Sequence, residues 1–490
     1  MSFWLSLSAA AGLMLTQASA RDWGETLRSD AAAIHEAISD NHPGMINPND
    51  SIFDQVNERQ YEIALERAED ADSFEDYFYA LQHYVAAFND GHLGFGVYGS
   101  TPDNDVKWPG FIVRDDGNRG LVVTYAEDWS EALVGARIVE CDGRDAFRLG
   151  DDRMGARFGR WELASERAVF GPMVMLETGD PYVRPIERCV IEADAGRRSV
   201  ELDWREGGAD FYDRYNLFPA PEQRSVTMRQ LEDGTSWISL PTFNGNPESE
   251  AGRNLRALVS EISEQTEALQ QAPAIVFDLR GNGGGSSGWS IEIAEQLWGD
   301  GAFQRAPEPP MTVVWRASSG NLASLRGAFS ERDANGNLSS DMREWYLSSI
   351  FGLEAAIEKG DDRWVIEPDQ NDAASDTADL SYHPPRGKVF VLTDEGCMSA
   401  CLDAVDLWTR LGAMPIGRET GADTVYMEVR KVQMPSGLGD MSLPMKFYIG
   451  RERGRNEPVK PVHHFQGDLN DTAALEAWVG SLRDYGLRYD

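Results

Sequence analysis

Lysine is nearly missing from this chain: six residues of 490. Lys and Arg together number 45 against 81 Asp and Glu, a formal net charge of −36. A field of that sign opposes binding to nucleic acid and to anionic membrane surfaces, so neither is expected as a partner. Internal repeats and low-complexity tracts are absent as well, which sets aside solenoids and disordered arrays. Long apolar runs are missing after the first twenty residues, so no stable membrane insertion is expected of the mature chain. Those first twenty residues, "MSFWLSLSAAAGLMLTQASA", have no charged side chain and end in the small-x-small pattern Ala18-Ser19-Ala20. They read as a signal peptide cleaved after Ala20, which sends the protein to the periplasm or the extracellular space.

Cysteine is scarce too, with four in the chain. Export makes disulfides chemically accessible. Cys397 and Cys401 stand close enough on one helical turn to bridge, which leaves Cys141 with Cys189; the alternative is buried free thiols.

What is present falls into blocks. Residues 21–105 are expected to be helical. In "SFEDYFYALQHYVAAFNDG", Phe74, Phe78, Leu81, Val85 and Phe88 recur at helical spacing, and Ser73 with Asp76 forms a capping pair. Gly91 is expected to end that helix in the left-handed conformation. His92 follows and opens "HLGFGVY", where Leu93, Phe95 and Val97 alternate as in a strand. Residues 106–205 are expected to form a small β-rich module, with an Asp142-Gly143 hairpin turn inside "ARIVECDGRDA". A proline-containing loop, "NLFPAPEQ", then acts as a linker. Residues 225–470 change character. A hairpin turning at Asp233-Gly234 and an amphipathic helix over about 250–270 lead to "APAIVFDLRGNGGGSSGWSIEIAEQLWG", a buried strand, a glycine loop and a helix. "GKVFVLTDEGCMSACLDAVDLWTRLGAMPIG" repeats the pattern. Strands alternating with helices imply right-handed crossovers and a largely parallel sheet, with sites at the carboxyl ends of the strands. Residues 301–385 read as a polar, partly helical insertion, and 471–490 as a C-terminal helix and tail.

Gly283, Gly285 and Gly288 satisfy G-x-G-x-x-G. A dinucleotide site needs an acid about twenty residues on, at the end of a second strand, and "FQRAPEPPMTVVW" there does not fit that setting, so a nicotinamide cofactor is not expected. Glycines there can act in a turn, or let backbone N–H groups converge on an oxyanion. Ser399 opens a helix after a strand, a position that suits an N-cap and a nucleophile equally. A serine nucleophile needs a base. Of the seven histidines, His35, His42 and His83 fall in the helical region without special context. His383 sits beside prolines, and His463 and His464 lie in a short strand-like run. His92 stands out because a helix end holds its backbone. A metal site from Cys397, Cys401, His463 and His464 matches no common ligand spacing, so no metal is expected.

At these residues the chain resembles a known family. "IVFDLRGNGGG", "VFVLT" leading to "SACLDAVD", "PIGRETG" and "NEPVKPV" occur in the order seen in C-terminal-processing (tail-specific) and tricorn-type serine peptidases. Retinoid-binding proteins of the photoreceptor matrix share that core. "FNDGHLGF" resembles the segment that carries the histidine in the tricorn-like branch. The resemblance implies an α/β fold with a crotonase/ClpP-like core of repeated β-β-α units, an N-terminal helical region, and a β module in the position of a PDZ-like domain. It implies Ser399 as nucleophile, His92 as base and Glu457 as the acid that orients it. It also implies backbone oxyanion donors at Ala400 and at Gly283 or Gly284. The lysine used as base in the other branch has no counterpart, because the first lysine after the serine is Lys431. Three positions depart from the pattern: Gly91 stands where a serine can precede the histidine, Pro458 replaces a glycine, and "VHHF" follows where an acid is often found. The expected function is an exported serine peptidase acting on peptides or proteins without a cofactor. The alternatives are a non-catalytic binder of apolar ligands or peptides on the same core, and a serine esterase.

Overall fold

The structure, a computed structural model, describes residues 21–102, 106–117, 120–127, 133–208, 211–215, 224–246, 248–306, 309–335, 338, 340–368 and 382–485. The expected signal segment at 1–20 and the proline loop at 216–223 lie outside them.

Two sheets carry the site. The first has six strands in the order Thr227–Gln230, Ser236–Ser239, Ala274–Asp278, Lys388–Thr393, Met414–Gly417 and His463–His464. Its first pair is an antiparallel hairpin, in which Gly234 supplies the positive φ of the turn, and every later pairing is parallel. The strand Ala274–Asp278 is buried at all five positions. Ile275 and Phe277 pack on one face under the helices Glu250–Glu264, Gly288–Trp298 and Ala400–Arg410. Ala274 and Val276 pack on the other face under the helix Thr472–Asp484. A strand covered on both faces reads as an unbroken apolar run, and that is how it stood in the sequence.

The second sheet is antiparallel. The long strand Gly439–Ile449 pairs with Gly94–Val97, Thr312–Arg316 and Tyr426–Gln433, and Arg363–Ile366 adds to Thr312–Arg316. Residues 301–385 therefore do more than insert. They supply two strands of this sheet, which two helices, Ser319–Ala334 and Ser340–Lys359, accompany. The N-terminal helices Trp23–Asn41, Phe53–Asp70 and Phe74–Ala86 cover one face, burying Met441, Leu443 and Phe447. Buried Asp30 fastens them there: its carboxylate accepts from Tyr77 Oη at 2.7 Å and from the N–H and Oγ of Ser436 at 2.9 and 2.5 Å.

The Ser73–Asp76 capping box forms as expected. The helix stop does not. Asn89, with φ 50°, takes the left-handed conformation expected of Gly91. Gly91 is needed for space, because a Cβ there would lie 2.6 Å from the Arg160 guanidinium.

The small module is a six-stranded antiparallel sheet between Phe111 and Glu201. Asp142 and Gly143 both have positive φ, as a tight hairpin turn requires, and Cys141 bonds to its cross-strand partner Cys189. The module is less purely β than its sequence implied, since a helical excursion from Ala146 to Met173 interrupts the strands. Among the described residues no helix is long and apolar enough to cross a membrane.

Candidate active site

The strands Ala274–Asp278 and Lys388–Thr393 are parallel neighbours, so the loops that follow them emerge at the same end of the sheet. The glycine loop follows the first strand, and Asp394–Ser399 follows the second. Met398 N–H donates to the Asn282 carbonyl at 3.3 Å, and a Cβ on Gly284 would lie 2.8 Å from Ser399 Cβ and 3.0 Å from Ala400 N. Only glycine permits that approach, and its φ of 96° adds a second reason.

Ser399 occupies the N-cap position of the helix Ala400–Arg410 without capping it: its side chain accepts no helix N–H, and its backbone is strained at φ 54°, ψ −127°. A non-glycine residue pays about 1 kcal/mol or more for that conformation, and such strain gathers where a side chain must be presented. The turn is held from below. Ser399 N–H donates to Asp423 Oδ1 at 3.0 Å, and Asp423 Oδ2 accepts from Arg453 at 3.2 Å. Cys397 and Cys401 are bonded across the turn, which commits both sulfurs and removes them as metal ligands. Among the described residues, no acceptor takes the N–H of Ala400 or of Gly283. Gly284 differs from the expectation of a donor there. Its N–H is consumed by Asn282 Oδ1 at 2.9 Å, so what it contributes is its missing side chain.

His92 reaches the same place from the other sheet. Ser399 and His92 line one cleft of ≈ 430 Å³ together with Gly285, Asp403, Glu428 and Arg451. His92 Nδ1 lies 2.8 Å from the Tyr426 carbonyl oxygen. A carbonyl can only accept, so Nδ1 carries the proton and Nε2 has the free lone pair. The backbone N–H of His92 donates to Asp90 Oδ1 at 2.8 Å, which also accepts from Thr424 Oγ1 at 3.0 Å. Buried His42 lies 3.6 Å from Asp90 Oδ2, and burial pulls this histidine below its ordinary range despite the carboxylate beside it. His83 also has a partner, Asp180 of the small module at 2.9 Å, and His35 lies 3.0 Å from Glu58.

Glu457 is not brought to His92. It is exposed, and its Oε2 accepts from Gly454 N–H at 3.0 Å. Asn456, at φ 54°, turns the chain so that the carboxylate folds back on its own loop. The Asn456 side chain still touches the histidine turn, donating to the Asn89 carbonyl at 2.9 Å. Asp90, Asp423, Thr424 and the Tyr426 carbonyl therefore do the holding, and none was singled out in the sequence. Asp90 had one signal, its place two residues before His92, where an Asx turn forms. The other three depend on a contact between distant segments.

Residues 234–449 match the family profile described as Peptidase family S41. Mature CPAF has a similar fold, with a TM-score of 0.57 at 14% identity, covering 94% of this chain and 97% of that one. Mature CPAF complexed with lactacystin aligns with the same score and identity, over 94% of this chain and 98% of that one. No curated protein matches the sequence.

Proposed function

The chain belongs to peptidase family S41 through residues 234–449, and from that premise we propose that this serine-type peptidase cleaves peptide bonds by acyl transfer to Ser399. His92 Nε2 takes the serine proton as Oγ attacks the scissile carbonyl, then returns it to the leaving amine. The Tyr426 carbonyl holds the ring in the tautomer this requires, the service that a carboxylate performs in a Ser-His-Asp triad. The N–H groups of Ala400 and Gly283 receive the oxyanion, and each donor is typically worth about 3 kcal/mol in the transition state. Water then attacks the acyl-enzyme by the same route, and the carboxylate product leaves.

Ser399 and His92 line one cleft, and their sharing it, with the N–H groups of Ala400 and Gly283 left without an acceptor among the described residues, supports acyl transfer most directly. Glu457 has no supporting contact with His92 and is left out of the relay. We further propose that the protein works outside the cytoplasm, in keeping with its two disulfides. Sequencing the mature N-terminus tests this, with Arg21 expected as the first residue.

Hydrolysis of an unstructured peptide library, read by mass spectrometry, tests the chemistry. Ser399→Ala and His92→Ala should each lose at least about 10³-fold in kcat while remaining folded. Full activity in His92→Ala would overturn its assignment as base, and wild-type protein that cuts nothing between pH 5 and 9 would overturn the reaction.

A further inference from the structure

The two halves of the oxyanion site come from different loops, and one side chain touches both. Asp394 follows the strand Lys388–Thr393, five residues before Ser399. Its two carboxylate oxygens accept the Gly281 N–H from the glycine loop at 3.0 and 2.9 Å. Oδ1 also accepts the Gly396 N–H from its own loop at 3.0 Å. The clamp is close-fitting: a Cβ on Gly396 would meet Asp394 Oδ1 and the Gly281 Cα, each at 3.2 Å. Gly281 lies two residues before the unused donor at Gly283, and Gly396 lies three residues before Ser399. Asp394 is not among the residues lining the cleft, and among the described residues no cation bonds directly to its carboxylate. Its bonds go to the backbone of the two loops whose relative position sets the distance between the oxyanion donors.

Taking Ser399 as the nucleophile, we propose that Asp394 is a positioning residue that locks the glycine loop to the nucleophile loop and holds the Gly283 and Ala400 donors in register. Its bidentate grip on Gly281 requires both oxygens to be acceptors. A proton on Oδ2 would face the Gly281 N–H, donor against donor, and break half of the grip. Burial pushes this carboxyl up to about 6, opposed by the two N–H bonds, aided by the neighbouring Glu395 and opposed again by Arg224; Glu395 itself faces Arg418 at 3.4 Å. The folded state thus binds this proton more tightly than the unfolded chain, whose ordinary value is 3.8. Its contribution to stability is fully present below that ordinary value and is lost as pH rises through about 6. Between pH 7 and 5 this group therefore makes the fold more stable while the clamp loosens, so acid inactivation through Asp394 is not unfolding.

The test compares Asp394→Asn and Asp394→Ala with wild type and Ser399→Ala, reading kcat, KM and Tm from pH 5 to 8. Asparagine keeps Oδ1 but puts donors in place of Oδ2. Asp394→Asn should lose about 10-fold in kcat with KM within about twofold, and Asp394→Ala about 100-fold, as expected when oxyanion donors are displaced. The Tm of Asp394→Asn at pH 7.5 should equal or exceed that of wild type, and its acid limb should be shallower by one ionisation. Asparagine kcat within twofold of wild type with a superimposable pH profile would overturn the clamp, as would a kcat loss accompanied by a matching loss of Tm. Wild-type activity in Ser399→Ala would overturn the clamp together with the nucleophile. An inactive Ser399→Ala beside an unchanged Asp394→Asn would overturn the clamp alone.

Discussion

Ser399 and His92 come to one cleft by opposite routes. The serine is placed locally. A strand, a turn with positive φ and a helix follow one another within Lys388–Arg410, and the glycine loop that packs against them hangs from the neighbouring parallel strand. The histidine is placed by distant pairings. The strand Gly94–Val97 registers on Gly439–Ser442, and the carbonyl that fixes the imidazole belongs to a residue 334 positions away. Local placement survives small shifts in packing. Distant placement depends on how the N-terminal helices and the antiparallel sheet dock.

The two sides should accordingly break in different ways. Gly284→Ala strikes the local side. Its methyl would enter the Ser399–Ala400 turn, 2.7 Å from the Met398 carbonyl oxygen. A drop in kcat of about 10²–10³-fold is expected, the range for loss of oxyanion stabilisation, together with a lower Tm, because a side chain at φ 96° is strained and the methyl presses on backbone; unchanged kcat and Tm would show that the two loops are not held as closely as described. Asp30→Ala strikes the distant side. It removes the buried acceptor of three hydrogen bonds joining the N-terminal helices to Ser436 and should cost about 3 kcal/mol, measured by denaturant unfolding. If the contrast holds, the surviving folded fraction will lose activity through His92, and a burst of acyl-enzyme will shrink in step. Glu457→Gln should do least. Glutamine can still accept from Gly454 N–H, so kcat should stay within about twofold. A loss near the roughly 10⁴-fold seen when a triad acid is neutralised would restore Glu457 to the relay.

The parallel core was readable because burial on both faces leaves a continuous apolar strand, and glycine loops punctuate such strands visibly. Ser73 with Asp76, and Asp142 with Gly143, were readable because caps and tight turns are made by neighbours. The differences between sequence and structure have the same root. Gly91 looked like a helix stop, but its lack of a side chain serves Arg160, from another part of the chain. Gly284 looked like a donor, but the Asn282 side chain had already taken its N–H. Glu457 looked like an orienting acid, but the turn at Asn456 folds it back onto Gly454.

By itself, then, the sequence determined the elements whose signals lie within one strand, one turn or one helix: the α/β core, the loops at its carboxyl edge, and Ser399 at the head of its helix. Tertiary structure alone decided which groups hold His92 and the two loops that meet beside Ser399. A side-chain carboxylate such as Asp90, Asp394 or Asp423 reads as one more acidic residue until the fold brings backbone N–H groups to its oxygens. Hydrogen bonds of that kind span about 3 Å in space and any distance along the chain, so no local pattern records them.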